Sequence, residues 1–384
     1  MTDSVEKIIA RTFEELAHGL ETGSFSSRPK IAITGIGSEH GEEVLLAGAV
    51  AASNDADILY IGTLKHPSVK TLHADNEKKA HEVMESLLKN GTADGAVTMH
   101  FPFPIGVSTV GKVSTPGLGK NIFIATTTGT SATDRVEGMI KNTLAGIICA
   151  KACGIENPSV GILNIDGARQ TESALKELSS KGYKINFGSS ERADGGCILR
   201  GNDVLAGACD ILVTDPLTGN VIIKMLSSFT SGGKYETIGF GYGPGIGRGY
   251  HELVMIVSRA SGSPVIHGAI SYAATLIKAE YRLIAEKEFA AAEKAGLSSI
   301  IEKFKTKTSD APSSDTVKPP KKEVVTGQLP GIEITELEDA VRILWKNNIY
   351  AESGMGCTGP IILVNETNII KAKTILSKEG FISN

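Results

Sequence analysis

An alternation of apolar runs with amphipathic helical patterns, beginning at Arg28, constrains this chain more than any other feature. "KIAITGIG" (30–37) reads as a strand and leads into a helix from Glu42 to Ala52. "ADILYIGT", "DGAVTMH", "NIFIATTT", "SVGILNI", "DILVTD" and "ELVMIVSR" read as strands in the same way. "NEKKAHEVMESLLKNG", "TDRVEGMIKNTLAGIICAKACG" and "ARQTESALKELSSKG" read as helices that stop on a glycine. "NVIIKMLSSF" is a shorter helix, and a final long helix is expected from about Ile270. The strands are apolar throughout, so both faces of their sheet must be covered. Helices between the strands supply that cover, which predicts a doubly wound α/β sheet. Forty-three glycines and only 5% aromatic residues suit an enzyme with many tight strand-to-helix turns.

A chain of 384 residues exceeds one simple core, and its composition changes along its length. Residues 1–28 read as an amphipathic helix with Val5, Ile8, Phe13, Leu16 and Leu20 on one face, without a signal-peptide core. Residues 29–302 carry the alternating pattern. "KFKTKTSDAPSSDTVKPPKKEVVTGQ" (303–328) has almost nothing to bury and reads as a flexible linker. Residues 329–384 read as a small α/β module with an internal repeat. Leu337 aligns with Ile369, Ala340 with Ala372 and "IL" at 343–344 with "IL" at 375–376, at a constant offset of 32. "ESGMGCTGP" is the expected connection between its halves.

The net charge is −4 with both signs interspersed, so no basic stripe asks for nucleic acid. No apolar run approaches membrane-spanning length, and a cytoplasmic protein is expected. Five cysteines make no disulfide framework. Cys149 and Cys153 share a helix face among Leu, Ala and Ile, which suits packing better than half a metal site. "GFGYGPGIGRG" (239–249) contains no G-x-G-x-x-G frame, and "GLGKN" has Asn121 where a P-loop needs Ser or Thr. No metal or organic cofactor is expected.

Two stretches suit an anion. In "TDPLTGNVIIKM" (214–225), Asp215 falls at the carboxyl end of an apolar strand, where open α/β sheets bind ligands. Gly219 and Asn220 then open a helix whose free N–H groups face outward, with Lys224 one turn on. In "IVSRASGSPVIHGAI" (256–270), Ser258 and Arg259 end another strand, and a hydroxyl beside a guanidinium fork suits phosphate. His267 follows nearby. Each stretch alone also has a bland reading: an Asn cap with a solvated lysine, a surface arginine and a core histidine.

The order "NGTADGAV", "IENPSVGILN", "LAGACDILVTDPLTGNVIIK", "IVSRASG" resembles the phosphotransacylase superfamily, over roughly residues 29–290. That resemblance implies a two-subdomain fold like isocitrate and isopropylmalate dehydrogenases, a site in the interdomain cleft and a dimer. It assigns Asp215, Gly219, Asn220, Lys224, Ser258 and Arg259 to phosphate or acyl phosphate. The acidic residue that the acetyltransferases place after Ser-Arg is replaced here by "ASGSPV", which departs from activation of a coenzyme A thiol.

An acyl-phosphate core that carries its own thiol in "GMGCTGP" resembles the family of component C alpha subunits of glycine/sarcosine/betaine reductase complexes. That family implies partners: a ketoacyl synthase-like beta subunit of component C, selenoprotein A and a substrate-specific component B, in a hetero-oligomer. It implies that a carboxymethyl selenoether supplies a two-carbon unit, released as acetyl phosphate from an acetyl thioester, with inorganic phosphate as substrate. Cys357 is the candidate nucleophile. Thiolates form where N–H groups or cations lower the thiol pKa, and Gly356, Thr358 and Gly359 offer close backbone approach and oxyanion donors. Cys197 in "ADGGCILRG" is the rival thiol. The competing readings are a stand-alone phosphate acyltransferase using acyl-coenzyme A or acyl carrier protein, a non-catalytic structural subunit, and a decarboxylating dehydrogenase, which would need an acidic metal cluster.

Overall fold

The structure, a computed structural model, describes residues 28–191, 196–305, 317–332, 336–356, 359–379 and 381–382, together with positions 12, 13, 16, 17 and 20. Val5 and Ile8 of the expected N-terminal helix lie outside the described residues. Its Phe13, Leu16 and Leu20 are helical and exposed.

The first set of strands is β1 (Lys30–Thr34), β2 (Asp57–Gly62), β3 (Lys70–His73), β4 (Gly95–Thr98) and β12 (Val254–Ile256), all parallel, in the order β3-β2-β1-β4-β12. The second set is β6 (Asn121–Thr130), β10 (Ile211–Val213) and β7 (Ser159–Leu163), also parallel, with the two-residue strands Asn186–Phe187 and Ile198–Leu199 on β7. Two strands join the sets, β11 (Gly243–Ile246) and β5 (Val107–Ser114). The pairings β12–β11, β11–β5 and β5–β6 are all antiparallel, so the two parallel sets run in opposite senses. This corrects the expected doubly wound sheet at its centre. Neither joining strand was expected, because "VSTVGKVS" and "GPGI" lack the unbroken apolar run that marks the others.

Helices cover both faces. Along β1, Ile31 and Ile33 enter one core and Ala32 the other; along β6, Phe123 and Ala125 face opposite to Ile122 and Ile124. The first face packs α1 (Glu42–Ala51), α3 (Arg135–Ala152), α4 (Ala168–Ser180), α7 (Ser263–Lys278), α8 (Tyr281–Lys294) and α9 (Leu297–Phe304). The second packs α2 (Glu77–Lys89), α5 (Gly201–Ala206) and α6 (Pro216–Ser227). The expected single helix from Ile270 is three helices starting at Ser263. Glu280 at φ 51° and Gly296 at φ 89° take left-handed conformations that break the run.

Helix α6 also starts earlier than expected. Asp215, not Asn220, is its N-cap: the carboxylate accepts from the Thr218 N–H at 3.0 Å and the Thr218 hydroxyl at 2.6 Å. Pro216 opens the helix and has no N–H to give. The expected free helix start for a ligand anion is thus occupied by the chain's own carboxylate.

Residues 317–326 have no regular structure, and strand β13 (Gly327–Pro330) begins before the expected boundary at Leu329. β13 and β14 (Ala351–Gly356) flank β15 (Gly359–Val364) in an antiparallel three-stranded sheet. Helices α10 (Leu337–Lys346) and α11 (Ile369–Lys378) cover it. The two helices are offset by the 32 residues of the repeat, and Leu337, Ala340 and Leu344 share one core with Ala372 and Leu376. Most of "ESGMGCTGP" is strand rather than loop. Gly356 pairs with Gly359, and Cys357 and Thr358 between them lie outside the described residues.

Gly219 lies where α6 crosses β6. A Cβ there would sit 1.8 Å from the Thr126 carbonyl oxygen, so the helix must move if one is added. Gly219→Ala is expected to cost about 2 kcal/mol of stability, read as a lowered urea midpoint. An unchanged midpoint would show that α6 can slide freely on β6.

Candidate functional site

A cavity of about 210 Å³ opens where the two strand sets meet. One wall comes from the first set: Met99 and His100 just past β4, and Val257, Ser258 and Arg259 just past β12. The second set gives Thr128 and Gly129 of β6, and Asn220 and Lys224 of α6. Four residues expected on sequence grounds, Asn220, Lys224, Ser258 and Arg259, therefore meet in one cavity. Asp215 and Gly219 do not line it; one caps α6 and the other lets α6 approach β6.

The Ser258–Ser261 turn is anchored from below. Glu236 is buried, and its carboxylate accepts from the Tyr242 hydroxyl and from the Ser261 hydroxyl, each at 2.6 Å. A carboxylate in such a place needs both donors. Ser261 Oγ in turn accepts from the Ser258 N–H at 3.0 Å, and Ser258 Oγ accepts from the Ala260 N–H at 3.1 Å. Burial and Glu236 both push the Tyr242 hydroxyl far up, so it stays a donor. Sequence reasoning did not find Glu236, because nothing in "KYETIG" distinguishes a buried carboxylate from a surface one.

Arg259 is held rather than loose. Its guanidinium donates to both Glu77 oxygens at 2.9 and 2.8 Å and to the Gly37 carbonyl at 3.0 Å. Gly37 has φ 113°, and a Cβ there would meet the Glu77 carboxylate at 2.8 Å. Hydrogen bonding from Arg259 holds the Glu77 carboxyl below its ordinary range, against the opposing pull of burial. A depressed carboxylate stabilises the fold above its unfolded-state pKa, and that contribution is lost as pH falls through the folded value. The pair therefore adds to the turn's stability at neutral pH, and this contribution is lost in acid. Asn220 Nδ2 donates to the Thr127 carbonyl at 3.0 Å, tying α6 to β6. The Lys224 ammonium has no ion-pair partner among the described residues. His267 points elsewhere, to Asp55 at 3.2 Å.

The four described cysteines are unsuited to thiolate chemistry. Burial pushes the Cys197 thiol up to about 12, with Glu172 adding to the effect, and Cys209 up to about 11; Cys149 and Cys153 are raised too. Among the described residues no group of His, Cys, Asp or Glu could hold a metal, and no helix is long and apolar enough to cross a membrane.

The C-terminal sheet touches the cavity's wall. Phe103 lines the cavity, Pro104 forms an isolated antiparallel bridge with Gly354, and Ile105 packs against the core of that sheet. Gly354 is three residues before Cys357.

The sequence profile of the family described as "Fatty acid synthesis protein" matches residues 29–363. The chain is 53% identical over 382 residues to the glycine/sarcosine/betaine reductase complex component C subunit alpha of Peptoclostridium acidaminophilum, covering 99% of both chains. It is 26% identical over 247 residues to a phosphate acyltransferase of Crocosphaera subtropica, covering 52% of this chain and 68% of that one. Among solved structures, a branched-chain phosphotransacylase from Enterococcus faecalis matches with 17% identity and a TM-score of 0.44, over 65% of this chain and 99% of that one.

If Arg259 also receives phosphate, Glu77 competes for it. Glu77→Gln should then tighten inorganic phosphate roughly fivefold at low salt, the size of one partly screened charge. Isothermal titration reads this directly; unchanged affinity would show that Arg259 receives no phosphate.

Proposed function

Because the chain belongs to the fatty acid synthesis protein family and, within it, to the component C alpha subunits of glycine/sarcosine/betaine reductase complexes, we propose that it forms acetyl phosphate by phosphorolysis of an acetyl thioester on Cys357. One observation carries this reading. The cavity gathers Asn220, Lys224, Ser258 and Arg259, and the strand leading to Cys357 is bridged through Gly354 to the residue after the cavity wall. Lys224 and Arg259 would hold the phosphate, Ser258 would orient it, and Gly356, Thr358 and Gly359 would supply backbone donors at the thioester. A hydrogen phosphate oxygen attacks the thioester carbonyl, the C–S bond breaks, and the thiol and acetyl phosphate leave.

In this reading the acetyl unit comes from a carboxymethyl selenoether on selenoprotein A, with component B and the ketoacyl synthase-like beta subunit completing a hetero-oligomer. The polar span before β13 would let the C-terminal module leave its seat on Pro104 to meet those partners. The two-subdomain dehydrogenase-like description of the core belongs to the same reading.

The test is peptide mass spectrometry of the full chain incubated with acetyl phosphate. Acetyl is expected on Cys357 and should be discharged by phosphate or arsenate. Cys357→Ser should fold and lose at least a thousandfold in acetyl phosphate turnover, as expected for loss of a covalent nucleophile. Arg259→Ala should keep the acetyl group and lose its discharge. Full turnover by Cys357→Ser with acetyl-coenzyme A would instead favour the stand-alone acyltransferase.

A further inference from the structure

His100 is a cavity residue whose chemistry the reading above leaves unused. It follows β4 directly, and its backbone is fixed from α2: His81 Nε2 meets the His100 carbonyl oxygen at 2.8 Å. The ring lines the cavity with Ser258, Arg259 and Lys224. Neither of its ring nitrogens has a hydrogen-bond partner among the described residues.

The groups around it set its charge. His81 and Glu77 approach from α2, Arg259 from the turn after β12, Lys224 from α6, Glu39 from the loop after β1, and Tyr242 from just before β11. Burial lowers the His100 pKa, the His81 and Arg259 charges push the same way, and Glu77 opposes them. The imidazole is therefore a neutral proton acceptor at neutral pH.

Phosphorolysis of a thioester moves one proton. Hydrogen phosphate loses it as its oxygen bonds the carbonyl carbon, and the sulfur gains it as the C–S bond breaks; no electrons are exchanged with any other reagent. Arg259 binds charge and as a guanidinium accepts no proton, and the raised Tyr242 hydroxyl is a poor acid. Glu39 also lines the cavity but is exposed to solvent. We propose that His100 is the catalytic base and acid of this cavity, taking the proton from hydrogen phosphate and returning it to the departing sulfur. The assignment deepens the acyl-phosphate reading and rests on it.

The test uses the full chain in two ways. Imidazole resonances of the ¹⁵N-histidine-labelled chain, with His100 identified by its loss in His100→Gln, are titrated with and without inorganic phosphate. His100 should titrate below the ordinary histidine range and shift upward when phosphate binds. Arsenate-dependent consumption of acetyl phosphate is then compared across pH. His100→Gln should lose about a hundredfold in kcat with little change in KM, and lose the acid limb of the profile, whereas Glu39→Gln should keep both. A His100 resonance indifferent to phosphate, or a His100→Gln variant with wild-type kcat and pH profile, overturns this role alone. A wild-type chain with no arsenate-dependent turnover overturns the acyl-phosphate reading, and this role with it.

Discussion

The passage of Gly243 over the Val110 carbonyl is the constraint on which the architecture rests. Gly243 has φ 91°, and a Cβ there would lie 1.7 Å from that oxygen. No side chain fits, so this crossing needs glycine twice over, for its conformation and for its space. The crossing lets β11 pair with β12 on one side and β5 on the other. Without it the two parallel sets would be separate sheets. With it, the residues past β4 and β12 face those of β6 and α6 across one cavity.

Charge within that cavity is graded by depth. Glu236 lies beneath the Ser258 turn and is satisfied by hydroxyl donors, so it fixes geometry without lending its charge to a cation among the described residues. Glu77 is nearer solvent and holds Arg259 by a fork-to-fork pair, whose side chains are 44% and 41% exposed. At that exposure solvent screens the pair, so an anion can compete for the guanidinium without leaving a buried carboxylate bare. The arginine is thus oriented in advance yet not fully neutralised, and it can still receive an anion.

The strands that the sequence reveals are those buried on both faces, because an unbroken apolar run is a local signal. The joining strands β5 and β11 are invisible for the converse reason. Their stability comes from pairing across distant residues, and their glycines and threonines carry no periodic signature. The site divides likewise. Ser258 and Arg259 were legible as residue types at the end of a strand, and Asn220 and Lys224 as residues of a helix that follows one, whereas Gly37, Glu77, Glu236 and His100 matter only through contacts with distant parts of the chain. Asp215 shows the limit of motif reasoning: it is a ligand-like carboxylate at a strand end, spent on capping its own helix.

The repeat in the C-terminal module has a physical cause. One strand and one helix cannot bury their apolar faces alone, and two copies can close a single core between them. Leu344 and Leu376, equivalent in the repeat, are both fully buried in that core. The third strand, β14, has no equivalent among the described residues, and it is this strand that reaches outward to Pro104 through Gly354. The eight residues from Met99 to Gly106 thus carry His100, the Phe103 wall and the seat of the module in succession. Placement of the module and shaping of the cavity are set by the same short stretch of backbone, so neither can change without the other.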